Sequence, residues 1–439
     1  MSETPNVVII LADDAGTGDL KCYSQNCQIP TPNIDSIAQS GVQFTQAYAP
    51  GNVCTQTRYG LLTGRHHFRT DRRGEGVVFD YTDPIIGEEP TIQNELGSIG
   101  YRTYCSGKWH LGIDWTEQGK GSGQFRNAAI NFGDPFRGPT AQGFDHYYGI
   151  RASLDHPPYC FLNDGHVVGY PNSEKDTYFN QQRSGPASNT WDDRQVDRQF
   201  TRRAVSYITE AVHSGDDFFL YVPTSAPHRP CLPSPQIKGQ SGIGNRGDMV
   251  VQFDWTVGQI KRQLEALGVL DETILIVASD HGPKPAAKDT GHDPTNGLRG
   301  QKATLYEGGI RVPLIVSWPG HTATDRVDTP VSLIDIFPTI CEIVGKKVDN
   351  LDGTSLLKLL NGQEYTSRAI ISEDGNGQRA IRVGDWKYIE PTDDTDAQLY
   401  NLHRDPRESK DKIATYSSMA DSLRKELHDF TYKNKNLQV

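Results

Sequence analysis

Short β-branched and other apolar runs alternate with stretches of helical spacing from the start of the chain to about residue 345. Val7–Leu11, Tyr101–Cys105, Phe218–Val222, Thr273–Ala278 and Pro313–Ser317 are the clearest strand candidates. Asn33–Ser40, closed by Gly41, and Val250–Leu267, closed by Gly268, carry helix signals. Strands alternating with helices in this way predict an α/β fold, a large mixed, mostly parallel sheet sandwiched by helices. Between residues 112 and 195 periodicity gives way to Gly, Pro, Asn and aromatic residues. That stretch predicts a long excursion that forms part of a binding surface.

The texture changes after about residue 346. Ala380–Val383 and Trp386–Ile389 flank Gly384-Asp385, a two-residue turn suited to a tight hairpin. Met419, Leu423, Leu427 and Phe430 then fall on one face of a terminal helix. The expected organisation is a large domain over residues 1–345 and a C-terminal α+β subdomain, a small antiparallel sheet plus helix, over 346–439.

Charge and composition exclude several partners. The net charge is −11, from 55 acids and 44 bases, and no basic stripe tracks a phosphate backbone, so nucleic acid is not expected. No apolar run reaches the roughly 18 residues needed for a membrane span. Val7–Ala12 has neither a basic leader before it nor a small-residue cleavage site after it. The expected location is periplasmic or extracellular if a leader has been removed, and cytoplasmic otherwise. Seven cysteines with no C-x-x-C pair argue against a structural zinc site.

Two strand ends carry acids: Val7–Leu11 runs into Asp13-Asp14, and Thr273–Ala278 into Asp280-His281-Gly282. Ligands of parallel sheets sit beyond the carboxyl ends of the strands. Three carboxylates gathered there repel one another unless a cation holds them, and hard oxygen donors favour Ca²⁺ or Mg²⁺. The plainer reading is that these acids cap turns. Cys54 is followed four residues later by Arg58. On a helix this places a guanidinium over the sulfur near the positive helix start, which predicts either a reactive thiol of depressed pKa or a buried, inert one.

The run Cys-x-x-x-Arg-x-x-x-x-Thr-Gly-Arg over residues 54–65 resembles the signature of the type I, formylglycine-dependent sulfatases of the alkaline-phosphatase-like superfamily. Further matches follow in the family's order: Asn6–Asp14, Gly107-Lys108-Trp109-His110-Leu111-Gly112, Ala226-Pro227-His228, Ser279-Asp280-His281-Gly282, Arg299-Gly300-Gln301-Lys302, Glu307–Pro313 and Leu399-Tyr400-Asn401-Leu402. The resemblance covers nearly the whole chain and is weakest between about 113 and 215. It implies that residues 1–345 form a catalytic sulfatase domain. It also implies that Cys54 is oxidised to formylglycine by a formylglycine-generating or anaerobic sulfatase-maturating enzyme. Asp13, Asp14, Asp280 and His281, with residue 54, would hold Ca²⁺. Arg58, Lys108 and Lys302 would neutralise the sulfate oxygens, His228 or Lys302 would protonate the leaving oxygen, and His110 would take the proton from the second hydroxyl of the hydrated aldehyde.

Two positions depart from the family pattern. Gln56 stands where Pro or Ala is usual, and His281 where many relatives carry Asn. The expected substrate is a sulfated carbohydrate, a glycosaminoglycan or marine polysaccharide fragment, with His156 and Tyr159 in the aromatic excursion placed to contact a sugar ring. His66-His67 is read as substrate contact or surface. The alternatives are a phosphonate or phosphodiester hydrolase of the same superfamily, or a silent sulfated-glycan-binding protein in which Cys54 stays a thiol.

Overall fold

The computed structural model of the chain describes residues 4–72, 84–115, 131–177, 182–284 and 291–433. Parts of the 112–195 excursion, residues 116–130 and 178–181, lie outside the described residues. The strands run in chain order β1 (Asn6–Asp13), β2 (Val42–Tyr48), β3 (Arg102–Lys108), β4 (His146–Ile150), β5 (Phe161–Asn163) and β6 (His166–Val168). A separate ribbon of β7 (Ser173–Lys175) and β8 (Gly185–Ala187) follows, then β9 (Phe218–Pro227), β10 (Thr273–Ser279), β11 (Arg311–Ser317), β12 (Asp325–Val327) and β13 (Val331–Ser332). Among the described residues the large sheet has 11 strands in the order β12-β2-β11-β10-β1-β9-β3-β4-β5-β6, with β13 beside β2. Its centre, β10-β1-β9-β3-β4, is parallel throughout, while β11 runs antiparallel to both of its neighbours. The sheet is thus mixed and mostly parallel, as the alternation of runs predicted.

Every residue of β1 is buried, because helices cover both faces of the sheet. Val8 and Ile10 face one layer, built from α1 (Pro32–Ser40), α4 (Val196–Ser214) and α5 (Asn245–Ala266). Val7, Ile9 and Leu11 face the other, built from α2 (Cys54–Thr63), α3 (Ile92–Gly97), α7 (Ile336–Ile343) and α8 (Leu357–Leu360). Each such aliphatic side chain contributes roughly 1.5–3 kcal/mol on leaving water. A rigid central strand therefore delivers its last residue, Asp13, to a fixed place at the sheet edge.

The C-terminal strands β14 (Ile370–Glu373), β15 (Arg379–Val383), β16 (Trp386–Ile389) and β17 (Gln398–Asn401) form an antiparallel sheet. Gly384, at φ 55°, makes the expected tight turn between β15 and β16. Helix α9 (Ser417–Lys433) lays Ala420, Leu423 and Leu427 on Ile371, Ile381, Tyr388 and Leu399. The opposite face packs on Tyr48 and on Ile310, the last residue of the short α6 (Glu307–Ile310). A buried ion triad pins the two sheets together: Lys387 Nζ lies 3.1 Å from Glu307 and 2.7 Å from Glu408. Among the described residues no helix is long and apolar enough to cross a membrane.

Candidate active site

Successive side chains of a strand point to opposite faces, so Asp13 and Asp14 should diverge. They do not, because Asp14 leaves β1 in the left-handed region, at φ 72°. Its N–H donates to Asp280 Oδ1 at 3.2 Å, and Asp280 itself follows directly on β10, its N–H donating to the Ala12 carbonyl at 3.1 Å. Adjacent parallel strands thereby bring three buried carboxylates together at their carboxyl ends.

Cys54 is the first residue of α2, entered through Val53 in extended conformation. Its Sγ lies 3.5 Å from Asp13 Oδ1, 3.3 Å from His281 Nε2, 3.3 Å from Lys108 Nζ and 3.5 Å from Lys302 Nζ. Lys108, at the end of β3, donates to Asp13 Oδ2 at 2.5 Å, and Lys302 to Asp14 Oδ1 at 2.5 Å. One turn into α2, Arg58 donates to Asp280 Oδ2 through Nε at 3.2 Å and Nη2 at 3.0 Å, and through Nη1 to the Lys108 carbonyl at 2.9 Å. His228, just beyond β9, sits with Nε2 4.0 Å from Asp14 Oδ2. Its Nδ1 donates to the Arg229 carbonyl at 2.6 Å.

Burial alone would raise the Asp13 carboxyl, but Lys108, His228 and Arg58 outweigh it and hold the group well below the usual range. Asp14 is lowered against the same burial cost, chiefly by Lys302 and His228. Lys302 is held well above its ordinary value although burial opposes its charge, because the Asp14 and Asp13 carboxylates face it. The Cys54 thiol is pushed up to about 12, first by burial and then by Asp13. This corrects the depressed pKa read from the helix start and Arg58: full desolvation and a carboxylate in contact outweigh the two lysines.

Asp13, Cys54, Asp280 and His281 offer ligand atoms within 4.8 Å of one another, as do Asp13, Asp14, Cys54 and His228. The His281 Nδ1–H donates to the Gly282 carbonyl at 3.0 Å, which turns the bare lone pair of Nε2 toward Asp14 and Asp280, 3.5 and 3.4 Å away. A second hydrogen bond that fixes the tautomer in this way is what a metal-ligating imidazole requires. Each group offers two carboxylates, one imidazole and the Cys54 sulfur; the three carboxylates fit a hard divalent cation, and the sulfur, a soft donor, would fit one only after its replacement by oxygen.

His110 follows β3 at φ 60°, its N–H on the Arg151 carbonyl at 2.8 Å. Neither ring nitrogen has a hydrogen-bond partner among the described residues although both are buried, and burial with Lys108 beside it keeps the ring neutral. The His156 ring lies 5.6 Å away, with Nδ1 3.0 Å from Asp155. Tyr159 departs from its expected role as a stacking platform. It is 1% exposed, the Lys175 ammonium covers its ring at 4.0 Å and its hydroxyl donates to the Arg183 carbonyl. His66 and His67 are likewise buried rather than at the surface: His66 stacks on Phe68 at 4.8 Å, and burial lowers its pKa to about 3. Sequence reading also passed over Asp19 and Arg246, which adjoin the acid cluster. Asp19 could have been found from its place five residues after Asp14, whereas Arg246 carries no local signal.

A sequence model of the Sulfatase family matches residues 5–346, and one described as N-sulphoglucosamine sulphohydrolase, C-terminal, matches residues 300–433. The chain is 34% identical to an N-acetylgalactosamine-6-O-sulfatase of Bacteroides thetaiotaomicron, over 94% of this chain and 90% of that one. It is 31% identical to human arylsulfatase A, over 88% and 75% of the two chains. A structure solved in connection with the metabolism of multiple glycosaminoglycans by Bacteroides thetaiotaomicron superimposes with a TM-score of 0.87 at 32% identity, covering 98% of this chain and all of that one. Cys54, the acid cluster and the three buried cations lie where the Sulfatase match runs, and the chain belongs to the sulfatase family, the sulfuric ester hydrolases of the alkaline-phosphatase-like superfamily.

Proposed function

We propose that this sulfatase hydrolyses sulfate esters of a sulfated carbohydrate, of the glycosaminoglycan or marine polysaccharide class, using residue 54 as formylglycine and Ca²⁺ held by Asp13, Asp14, Asp280 and His281. The observation that carries the reading is Cys54 Sγ lying within 3.5 Å of both Lys108 and Lys302 at the edge of a three-carboxylate cluster. The N-acetylgalactosamine-6-O-sulfatase relative supports the carbohydrate class. Residues 1–345 form the catalytic domain in this reading, and 346–439 a subdomain packed on it.

When bound, the cation supplies positive charge that makes a neighbouring hydroxyl more acidic. Residue 54, oxidised to an aldehyde and hydrated, brings an oxygen nucleophile to the sulfur. Arg58 fixes the Asp280 carboxylate and the Lys108 backbone, so that Lys108 and Lys302 face the sulfate oxygens as charge spreads over them. His228 or Lys302 gives a proton to the sugar oxygen as its bond to sulfur breaks. His110, neutral and with both ring nitrogens unpartnered among the described residues, accepts the proton released as residue 54 returns to its carbonyl form and sulfate departs.

The test has two parts. Mass spectrometry of the residue-54 peptide from the native host should find an aldehyde in place of CH₂–SH, the work of a maturating enzyme that accepts Gln56. Defined sulfated oligosaccharides should release sulfate with the matured protein and not with Cys54→Ala. An unmodified thiol in active protein overturns the mechanism. Faster turnover of aryl phosphonates than of any sulfate ester overturns the substrate assignment.

A further inference from the structure

Asp14 sits in the left-handed region at φ 72°, which turns its carboxylate toward that of Asp13; the conformation is uncommon outside glycine, though less so for aspartate, and here its surroundings fix it. The surroundings here are specific. Arg246, the second residue of α5 and 3% exposed, donates through Nη2 to the Asp14 carbonyl at 3.2 Å. The same guanidinium grips Asp19 with two bonds, Nη1 to Oδ1 at 2.7 Å and Nη2 to Oδ2 at 2.6 Å. Asp19 is fully buried and accepts two more: the Gly16 N–H on Oδ2 at 2.9 Å and His292 Nε2 on Oδ1 at 2.9 Å. The Ala15 N–H is held by Ser279 Oγ at 3.0 Å, and the Gly18 N–H by the Pro294 carbonyl at 2.9 Å. The turn from 14 to 19 is therefore bonded along its length, and the planar fork of Arg246 is the piece that joins its two ends.

Neither Arg246 nor Asp19 is among the candidate ligand atoms of the cation cluster. We propose that Arg246, locked by Asp19, is a positioning residue that holds Asp14 in its left-handed conformation so that two consecutive aspartates meet one cation. A lysine cannot replace it, because a single ammonium lacks the fork that spans the Asp14 carbonyl and both Asp19 oxygens. The inference rests on the cation reading above and adds a residue outside the ligand set to it.

The experiment is calcium binding by titration calorimetry on the calcium-stripped full chain, wild type against Arg246→Lys and Asp19→Asn. Losing an outer partner of a metal ligand costs about 10–100-fold in affinity, so both variants should bind Ca²⁺ at least about tenfold more weakly, with kcat recovering toward wild type at saturating Ca²⁺. A Kd within twofold of wild type overturns the proposal, as does a lowered melting temperature with an unchanged Kd, the signature of a merely structural role. Should neither variant fold, hydrogen exchange on the calcium-stripped wild type decides. The Ala15 and Gly16 amides stay protected if the clamp preforms the turn, and exchange freely while β1 stays protected if it does not. A wild-type protein that binds no divalent cation overturns the cation reading and this inference with it. Failure of the clamp alone leaves wild-type binding intact.

Discussion

Arg58→Lys keeps the charge beneath residue 54 and removes the geometry. Arg58 makes three bonds, two to Asp280 Oδ2 at 3.0 and 3.2 Å and one to the Lys108 carbonyl at 2.9 Å, from a side chain with no exposed surface. A lysine ammonium can recover at most one of the Asp280 contacts and cannot also reach the carbonyl, because its donors radiate from a single atom. Losing one charge-assisted bond costs about 1.5–3 kcal/mol, and stranding a buried carbonyl about 1–3 kcal/mol. The expected loss of stability is therefore about 3–5 kcal/mol, read from urea unfolding followed by tryptophan fluorescence. Because the same bonds hold Asp280 and Lys108 in place, kcat/KM for sulfate release should fall on the order of 10²–10³-fold, the range for removing one preorganised donor. Activity within threefold of wild type in a variant destabilised as expected would refute the coupling: Arg58 would then support the core and leave the site alone.

Lys387→Met removes the ammonium 3.1 and 2.7 Å from buried Glu307 and Glu408, leaving Glu307 with the more distant Arg311 guanidinium at 3.7 Å. It should cost about 3–5 kcal/mol in chemical denaturation, partly restored by adding Glu408→Gln. Burial pushes the Glu373 carboxyl up to about 8 from an ordinary 4.5, so folding takes up a proton and stability should fall as pH rises through that window, by roughly 4–5 kcal/mol in all. Glu373→Gln, which keeps an acceptor for the Phe68 N–H, should flatten that decline in melting temperature between pH 5 and 8. Chelation of Ca²⁺ should weaken inorganic sulfate binding in calorimetry, and saturating sulfate should tighten Ca²⁺ binding by the same factor; sulfate affinity indifferent to Ca²⁺ would count against the shared site.

What the sequence made legible follows from burial. β1 and β10 are covered on both faces, so they appear as unbroken aliphatic runs, and the acids that end them stand out. β2, Val-Gln-Phe-Thr-Gln-Ala-Tyr, escaped notice because its centre is only partly buried and its polar residues break the run. β4 escaped because His146, Tyr147, Tyr148 and Gly149 read like the aromatic excursion around them. At the site, residue types in family order singled out Cys54, Arg58, Lys108 and Lys302, which the fold brings together. The direction of the Cys54 shift did not follow, since it depends on depth and on Asp13, 41 residues away in the chain and 3.5 Å away in space. Tyr159 misled for a similar reason, because an aromatic side chain in a loop-rich segment gives no sign that a lysine covers its ring.

The net charge of −11 opposes any polyanionic substrate, and the local arrangement answers it in a particular way. Asp13, Asp14 and Asp280 face Arg58, Lys108 and Lys302, three charges of each sign, so the cluster is balanced before anything binds. Each ammonium gives one of its three donors to a carboxylate at 2.5 Å, Lys108 to Asp13 and Lys302 to Asp14, which offsets part of the charge a sulfate oxygen would meet. In the proposed reading, a cation that shares those carboxylates would weaken their hold on the lysines and leave more of the lysine charge facing residue 54. A sulfate ester would then meet ammonium groups less tightly paired. In the proposed reading, cation and anion would therefore be linked through shared partners. On that reading, an acidic protein holds a sulfated glycan because its attraction is confined to the few ångströms around residue 54, where a bound cation would set it.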